Sequence, residues 1–128
     1  MRALLDTHVL LWAVGDPARL PVQTLDLLGD PATELAFSAA SIWEIVIKNS
    51  LGRSDFRIEP RNLRSGLIDH GYQEIEIGSD HAIAVGHLPS IHRDPFDRIL
   101  LAQALVEDVT LFTVDPVLDR YPAPVRLI

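Results

Sequence analysis

Residues 1–12 read MRALLDTHVLLW, and this opening stretch decides the fold class. A short apolar run at residues 3–5 predicts a strand, and the residues after Asp6 have the length and apolar spacing of a helix. An acid between a strand and a helix can cap the free N–H groups of the helix, or it can belong to a site at the end of the strand. The same order of strand and helix recurs along the whole chain.

Short apolar runs alternate with segments of helical length and period. The runs predict strands at residues 3–5, 35–37, 75–77, 109–114 and 125–128. The intervening segments predict helices at residues 7–14, 22–29, 39–49, 61–70, 80–87 and 95–107. Prolines and glycines fall mainly between these elements. This alternation is typical of βαβ units, so we expect one α/β domain over residues 1–128, with a mostly parallel sheet covered on both faces.

The composition excludes several classes of function. The chain has 128 residues, no cysteine and a formal net charge of -7. Without cysteine there is no disulfide framework, thiolate zinc site or cysteine nucleophile. An acidic chain does not hold nucleic acid by bulk electrostatic attraction, so any such role must be local or metal-mediated. Asp6 interrupts any early apolar signal region and no apolar run could span a bilayer, so we expect a cytoplasmic protein without a membrane partner.

The helix predicted at residues 39–49 is apolar almost all round, which predicts that it is buried. Its exceptions Ser41, Glu44 and Lys48 have spacings of three and four and therefore share one stripe. A buried carboxylate needs a partner, a metal ion or an opening to water. The alternative is local, because Ser41 and Glu44 match a capping box and Glu44 with Lys48 is an i,i+4 pair.

Four acids fall where the ends of parallel strands would bring them together. Asp6 and Asp115 directly follow predicted strands, Glu44 lies two turns beyond the second strand, and Asp97 opens the helix at residues 95–107. Residues just past the carboxyl ends of parallel strands converge on one edge of the sheet, where ligands bind. We therefore expect these four carboxylates to share one site.

Each acid also has a local interpretation. Asp6 and Asp115 are reasonable N-caps, and Asp94 before a proline is another that could pair with Arg98 at i,i+4. Asp97 differs, because the residues three and four positions after it are both leucine, which places it near the buried face. The joint placement of the four acids therefore argues for a site, although each one alone could be a cap.

Clustered carboxylates repel one another and persist only with counter-charge. Oxygen ligands favour Mg²⁺ or Mn²⁺, and the chain has no cysteine to favour zinc. One or two such ions activate water and stabilise the oxygens of an in-line phosphoryl displacement. The cluster therefore predicts metal-dependent cleavage of phosphodiesters.

Four segments of the sequence together resemble the PIN-domain family, and more narrowly the VapC-type toxins of VapBC toxin/antitoxin pairs. They are LLDTHVLLW at residues 4–12, SAASIWEI at 38–45, HRDPFDR at 92–98 and TVD at 113–115. The resemblance spans nearly the whole chain in the right order. It implies a three-layer α/β/α sandwich with a small parallel sheet and a Mg²⁺- or Mn²⁺-dependent endoribonuclease.

Carried over by position, the resemblance implies a catalytic and metal-binding quartet of Asp6, Glu44, Asp97 and Asp115. Asp6 and Asp97 would be the direct metal ligands, and the other two would complete or tune the site. The resemblance also implies a homodimer and a VapB-type antitoxin, whose C-terminal segment lies in the acidic cleft and whose N-terminal half binds operator DNA. The alternative is a catalytically silent PIN-like module that binds RNA or protein.

A receiver-like signalling domain also gathers acids at strand ends. Such a domain needs an acidic pair after its first strand, where this sequence has Asp6, Thr7 and His8. It also needs a phospho-accepting aspartate after the middle strand, where this sequence has Gly78. The sequence therefore does not favour that class.

Several polar residues near the acids are candidates for holding them or the substrate. Thr7, Ser41 and Thr113 could donate hydrogen bonds to the carboxylates or to an attacking water, although capping is an alternative for each. Arg98 could reach a substrate phosphate. Of the five histidines, only His92 is expected near the site.

A basic stretch is the candidate surface for an RNA backbone. This stretch contains five cations and only two acids. The alternative is that it forms a solvated surface that connects two elements. The cations are Lys48, Arg53, Arg57, Arg61 and Arg64.

Overall fold

The computed structural model describes residues 1–52 and 57–128. Its elements, in chain order, are β1 (Arg2–Leu5), α1 (Thr7–Gly15), α2 (Val22–Leu28), β2 (Glu34–Ser38), α3 (Ala39–Ser50), α4 (Pro60–Asp69), β3 (Gln73–Ile75), α5 (Ser79–Val85), α6 (Pro95–Glu107), β4 (Thr110–Thr113) and β5 (Val125–Leu127). Short 3₁₀ turns occupy Pro17–Arg19 and Leu118–Arg120. Every predicted strand and helix is present, and α6 has the predicted bounds.

The five strands form one sheet in the order β3-β2-β1-β4-β5. Every neighbouring pair is parallel, which confirms the parallel sheet that the alternating pattern predicts. In the centre of the sheet Leu4 lies opposite Ala36 on one side and Leu111 on the other. Because all strands point the same way, their carboxyl ends lie along a single edge.

Alternating side chains of the strands enter two separate cores. Leu4, Ala36 and Leu111 pack with apolar residues of α6 on one face of the sheet. Leu5 and Phe37 pack with residues of α1 and α4 on the other face. Each fully buried leucine or phenylalanine contributes about 1.5–3 kcal/mol relative to exposure. Two cores separated by one sheet make the three-layer α/β/α sandwich that was expected.

Strand β3 lies two residues earlier than predicted. The apolar pair Ile75 and Ile77 favoured a strand at residues 75–77, but the strand is Gln73–Ile75. Ile75 is buried, whereas Ile77 is 43% exposed and lies beyond the sheet. The shift has a physical reason, because β3 is an edge strand with one buried side chain and its apolar pattern carries little register information.

The prediction that α3 is buried on all sides was wrong. Ala40, Ser41 and Ile45 are buried, but Trp43 is 59% exposed and Val46 is also exposed. The helix packs against β2, α4 and α6 and leaves its remaining apolar side open. A helix that is apolar all round therefore marks here a half-covered surface rather than a core helix.

Within the described residues, no helix has the length and apolarity needed to cross a membrane.

Candidate active site

Asp6 is both the cap of α1 and the most buried acid of the predicted quartet. It follows β1 directly, and its Oδ1 accepts a 2.9 Å hydrogen bond from the N–H of Val9. Its Oδ2 accepts a 2.5 Å hydrogen bond from the hydroxyl of Thr113 at the end of β4. Burial raises the pKa of Asp6, and the two hydrogen bonds oppose this rise. The capping role and the site role are therefore compatible, because each carboxylate oxygen keeps an unused lone pair.

Glu44 lies beside Asp6 and is held by side chains of α1 and α3. Its Oε1 accepts a 2.7 Å hydrogen bond from the hydroxyl of Thr7. Its Oε2 lies 3.2 Å from Nζ of Lys48, which confirms the predicted i,i+4 pair. The hydroxyl of Thr7 also lies 2.9 Å from that of Ser41. Thr7 therefore binds an acid of the quartet as predicted, whereas Ser41 contacts the hydroxyl of Thr7.

The predicted capping box of Ser41 and Glu44 was wrong. The N-cap of α3 is Ser38, whose hydroxyl accepts from the N–H of Ala40. Ser41 lies inside the first turn and is buried. The strand and the helix follow one another without a loop, so the cap falls at the last residue of β2, three residues earlier than the motif suggests.

Asp97 carries the largest electrostatic penalty of the four acids. It lies in the first turn of α6, after an N-cap formed by Asp94 as predicted. Burial raises the pKa of Asp97 to about 7, and the charges of Asp94, Asp6 and Glu44 add to this rise. These interactions also show that three acids of the quartet, from three different elements, lie close enough to repel one another.

Asp115 joins the same site through its neighbours. Its N–H donates to the hydroxyl of Thr113, which is the residue that donates to Asp6. Its Oδ1 accepts from the N–H of Val117, as expected of a residue that caps a turn. Its Oδ2 lies 3.6 Å from Nε2 of His92, and the same nitrogen lies 3.0 Å from Oδ2 of Asp97. His92 therefore lies at the site, as predicted.

The donor set of this site fits a hard divalent cation. Its ligand atoms are carboxylate oxygens, which Mg²⁺ and Mn²⁺ prefer. Burial first, and neighbouring negative charges second, raise the pKa values of Asp6 and Asp97, so their ionised forms are disfavoured without a counter-charge. A bound divalent cation would supply that counter-charge. Atoms of His92, Asp94 and Asp97 also lie within 4.8 Å of one another, so this group could take part.

A second group of potential ligands comprises Asp80, His81 and Glu107. Nδ1 of His81 accepts a hydrogen bond from the N–H of Gly78, and Nε2 lies 2.9 Å from Oε1 of Glu107. Both ring nitrogens are therefore used by the protein itself. This histidine ties the start of α5 to the end of α6.

Arg98 is not placed as the sequence suggested. It does not pair with Asp94; Nη1 donates to the carbonyl of Pro89 at 2.8 Å, and Nη2 donates to the carbonyl of Val85 at 3.1 Å. Nη1 also lies 3.4 Å from the hydroxyl of Tyr121. The guanidinium thus holds the connection between α5 and α6. Its predicted contact with a substrate phosphate stays a prediction.

The basic stretch is weaker than its sequence indicates. Arg64 forms two 3.0 Å hydrogen bonds to the carboxylate of Glu74, and Lys48 pairs with Glu44. Arg57 and Arg61 are exposed. Arg53, the remaining member, lies outside the described residues. The candidate RNA surface therefore depends mainly on Arg57 and Arg61.

An apolar groove of about 660 Å³ adjoins the acids, and sequence reasoning missed it. Trp43 and Phe96, the residues just before Glu44 and Asp97, lie in it with ring centroids 5.1 Å apart and nearly perpendicular planes. Trp43 belongs to the apolar helix that the sequence predicted to be buried. Tyr121 was missed as well, because a tyrosine near the C-terminus carries no local signal for a contact with His92.

Comparisons with known proteins agree with this geometry. The family model for the PIN domain matches residues 3–124. The chain is 32% identical over 126 residues to Ribonuclease VapC22 of Mycobacterium tuberculosis (strain ATCC 25618 / H37Rv), covering 97% of this chain and 96% of that protein.

Among solved structures the fold is similar to VapBC2 from Rickettsia felis bound to a DNA fragment from their promoter. The TM-score is 0.73 at 18% identity, with 99% of this chain and 98% of that chain covered. The fold is also similar to DNA-bound VapBC from Salmonella typhimurium, with a TM-score of 0.65 at 13% identity and coverage of 100% and 97%.

The fold and the site define a parallel α/β protein with a cluster of carboxylates at the carboxyl edge of its sheet. With a family model over nearly its whole length and a relative at 32% identity, the chain belongs to the PIN domain family.

Proposed function

We propose that this protein is the toxin of a type II toxin/antitoxin pair and acts as a metal-dependent endoribonuclease that hydrolyses RNA phosphodiester bonds. One observation carries the proposal: carboxylates from the ends of β1 and β4 and from α3 and α6 gather at one edge of the sheet. The relative named Ribonuclease VapC22 supports the reaction and the substrate.

Asp6 and Asp97 would hold Mg²⁺ or Mn²⁺, with Glu44 and Asp115 completing the site. When bound, such an ion supplies Lewis-acid stabilisation of the phosphate and an activated water nucleophile. The fit rests on the donor set, because both proposed ligands are carboxylates, and burial disfavours their ionised forms until a cation is bound.

The protein's own residues fix the geometry of this site. Val9 and Thr113 hold one oxygen each of Asp6, so its remaining lone pairs point in set directions. Thr7 holds Oε1 of Glu44, and Lys48 balances the charge at Oε2. We infer that Glu44, with each oxygen already engaged by a protein group, orients water or substrate and is not a main metal ligand.

The test is cleavage of RNA by the purified protein with Mg²⁺, with Mn²⁺ and with EDTA. We expect Asp6→Asn and Asp97→Asn to lower the cleavage rate by at least about 100-fold, since each removes stabilisation of about 3 kcal/mol or more. Asp26→Asn, at an exposed acid of α2, is the matched control and should cleave normally. A wild-type protein that binds RNA but never cleaves it would identify the catalytically silent module instead.

The proposed partners are RNA, a VapB-type antitoxin and a second copy of the chain, with operator DNA reached only through the antitoxin. The structural relatives are themselves VapBC complexes. We place the activity in the cytoplasm, where its proposed substrate is. Expression should stop growth, and co-expression of a small neighbouring reading frame that encodes a DNA-binding protein should restore it. Light scattering should give twice the monomer mass; a monomer at micromolar concentration would contradict the homodimer.

A further inference from the structure

The connection between α5 and α6 places a histidine next to two acids of the candidate active site. Nε2 of His92 lies 3.0 Å from Oδ2 of Asp97 and 3.6 Å from Oδ2 of Asp115. Asp97 belongs to α6 and Asp115 follows β4. His92 therefore bridges two carboxylates of the proposed metal site that come from different elements.

The hydrogen bonds of the ring decide which nitrogen carries the proton. Nδ1 of His92 accepts from the N–H of Arg93 at 3.1 Å, so Nδ1 is unprotonated in the neutral ring. The proton of the neutral imidazole is then on Nε2, the nitrogen that lies 3.0 Å from Oδ2 of Asp97. A nitrogen that carries a proton has no lone pair for a metal ion. In this arrangement His92 acts on the carboxylate and does not bind metal.

The backbone of His92 is held from the far side. Its N–H donates to the hydroxyl of Tyr121 at 2.6 Å, and Tyr121 is 4% exposed. Arg98 fixes the same connection through the carbonyls of Val85 and Pro89. The position of the imidazole is therefore set by a buried side chain and a clamp from α6, not by the connection alone.

We propose that His92 is a positioning residue that orients Asp97 and Asp115 for the metal ion, and that Tyr121 holds His92 in place. The proposal rests on the metal-dependent function proposed above. A donor on one oxygen of Asp97 leaves the other oxygen to face a cation, as partners of metal ligands commonly do. The close contact of the imidazole with Oδ2 of Asp97 also opposes rotation of the carboxylate away from the site.

Titration with Mn²⁺ alone, at pH 8 and without RNA, tests this arrangement. The signal of free Mn²⁺ in electron paramagnetic resonance reports the bound fraction. Loss of a partner that orients a ligand commonly weakens metal binding by about 10- to 100-fold. We expect a loss in this range for His92→Ala. His87→Ala, which removes an exposed histidine of the same connection, is the matched control and should bind like the wild type.

His92→Gln separates positioning from ligation. Its amide can donate a hydrogen bond at about the reach of Nε2, so a positioning role predicts Mn²⁺ affinity within about threefold of the wild type. If His92→Gln loses as much affinity as His92→Ala, the histidine is a ligand and the proposal is overturned. A wild type that binds no Mn²⁺ removes the metal site itself, whereas normal binding by His92→Ala rejects only the positioning role.

Tyr121→Phe tests the second half of the proposal. It removes only the hydroxyl that holds the N–H of His92, and we expect Mn²⁺ affinity to fall by about threefold to tenfold, less than for His92→Ala. Combined with His92→Ala it should cause no further loss of affinity, because the two residues act in series. A merely structural tyrosine would lower the melting temperature and leave the Mn²⁺ affinity unchanged, which contradicts the proposal.

Discussion

Replacing Asp97 by asparagine should stabilise the metal-free protein at alkaline pH. The side chain keeps its shape and loses its charge, and that charge is the one the surroundings oppose most. Burial and the negative charges of Asp94, Asp6 and Glu44 raise the pKa of Asp97 from 3.8 to about 7. His92 is the neighbour that opposes the rise.

The sign of the effect follows from proton binding. Between the unfolded pKa of 3.8 and the folded pKa of about 7, the folded protein binds a proton that the unfolded chain has released. The stabilisation that results from proton binding by Asp97 is therefore fully present below pH 3.8, and it is lost as the pH rises through about 7. At about 1.36 kcal/mol per pKa unit the upper limit of this loss is about 4 kcal/mol.

Solvent reduces the magnitude, because the side chain of Asp97 is 21% exposed. We therefore expect Asp97→Asn to add about 2 kcal/mol at pH 8, or about 6–10 °C in melting temperature for a chain of this size. Most of that difference should vanish at pH 4.5, where the folded carboxyl is protonated. The assay is thermal unfolding in EDTA at several pH values, with Asp26→Asn as the control.

Mg²⁺ should invert the order of stability. At about 100 times its dissociation constant, a ligand of the folded state adds about 2.7 kcal/mol to the wild type. Asp97→Asn should gain little, so the wild type becomes the more stable protein in Mg²⁺. An Asp97→Asn variant that is less stable than the wild type at pH 8 in EDTA would refute the electrostatic reasoning. Equal stabilisation of both proteins by Mg²⁺ would remove Asp97 from the metal site.

Two further predictions concern the support of Asp6 and the binding of RNA. Thr113→Val removes a hydrogen bond to a buried carboxylate and should destabilise the protein at pH 8 by about 1.5–3 kcal/mol, measured by urea unfolding; an unchanged midpoint would mean that Thr113 does not support Asp6. Neutralising Arg57 and Arg61 should reduce the slope of log K for single-stranded RNA against log salt by about 0.7 per lost phosphate contact. Arg64→Ala should change this slope less because Glu74 already neutralises Arg64, and an unchanged slope in the double variant would reject this surface.

The fold was predictable because buried apolar residues recur along the sequence with the spacing of a strand or a helix. In the central strands, buried side chains alternate between the two cores, and helices α1 to α5 each end near a glycine, whereas α6 ends just before Asp108, which has a left-handed backbone. The same reasoning failed where apolar residues are not buried. Trp43 and Ile77 follow the apolar pattern of a core yet lie exposed. An apolar side chain is buried only where another part of the protein packs over it, and the local sequence does not show where that happens.

The candidate site was predictable in its carboxylates, in Thr7 and Thr113 beside them, and in the proximity of His92. Parallel strands place Asp6 and Asp115 at one edge whatever the details of packing, so their position in the sequence was sufficient. The roles of Arg98 and Tyr121 depend on how the connection between α5 and α6 folds back, which no local pattern records. His92 was predicted near the site, but its bridge between two acids required the tertiary structure.

The acids differ in how well hydrogen bonds and counter-ions of the protein satisfy them. This difference indicates which acid most lowers the stability of the metal-free protein and which contributes most to metal binding. Asp6 accepts two hydrogen bonds and Glu44 has a lysine as counter-ion, so each is partly satisfied without a cation. Asp97 is contacted by the imidazole of His92, and burial together with the neighbouring negative charges raises its pKa to about 7. The electrostatic penalty of assembling the cluster therefore falls mainly on Asp97. A cation that relieves this penalty gains binding energy there, so the carboxylate that most destabilises the empty site is the one expected to contribute most to holding the ion.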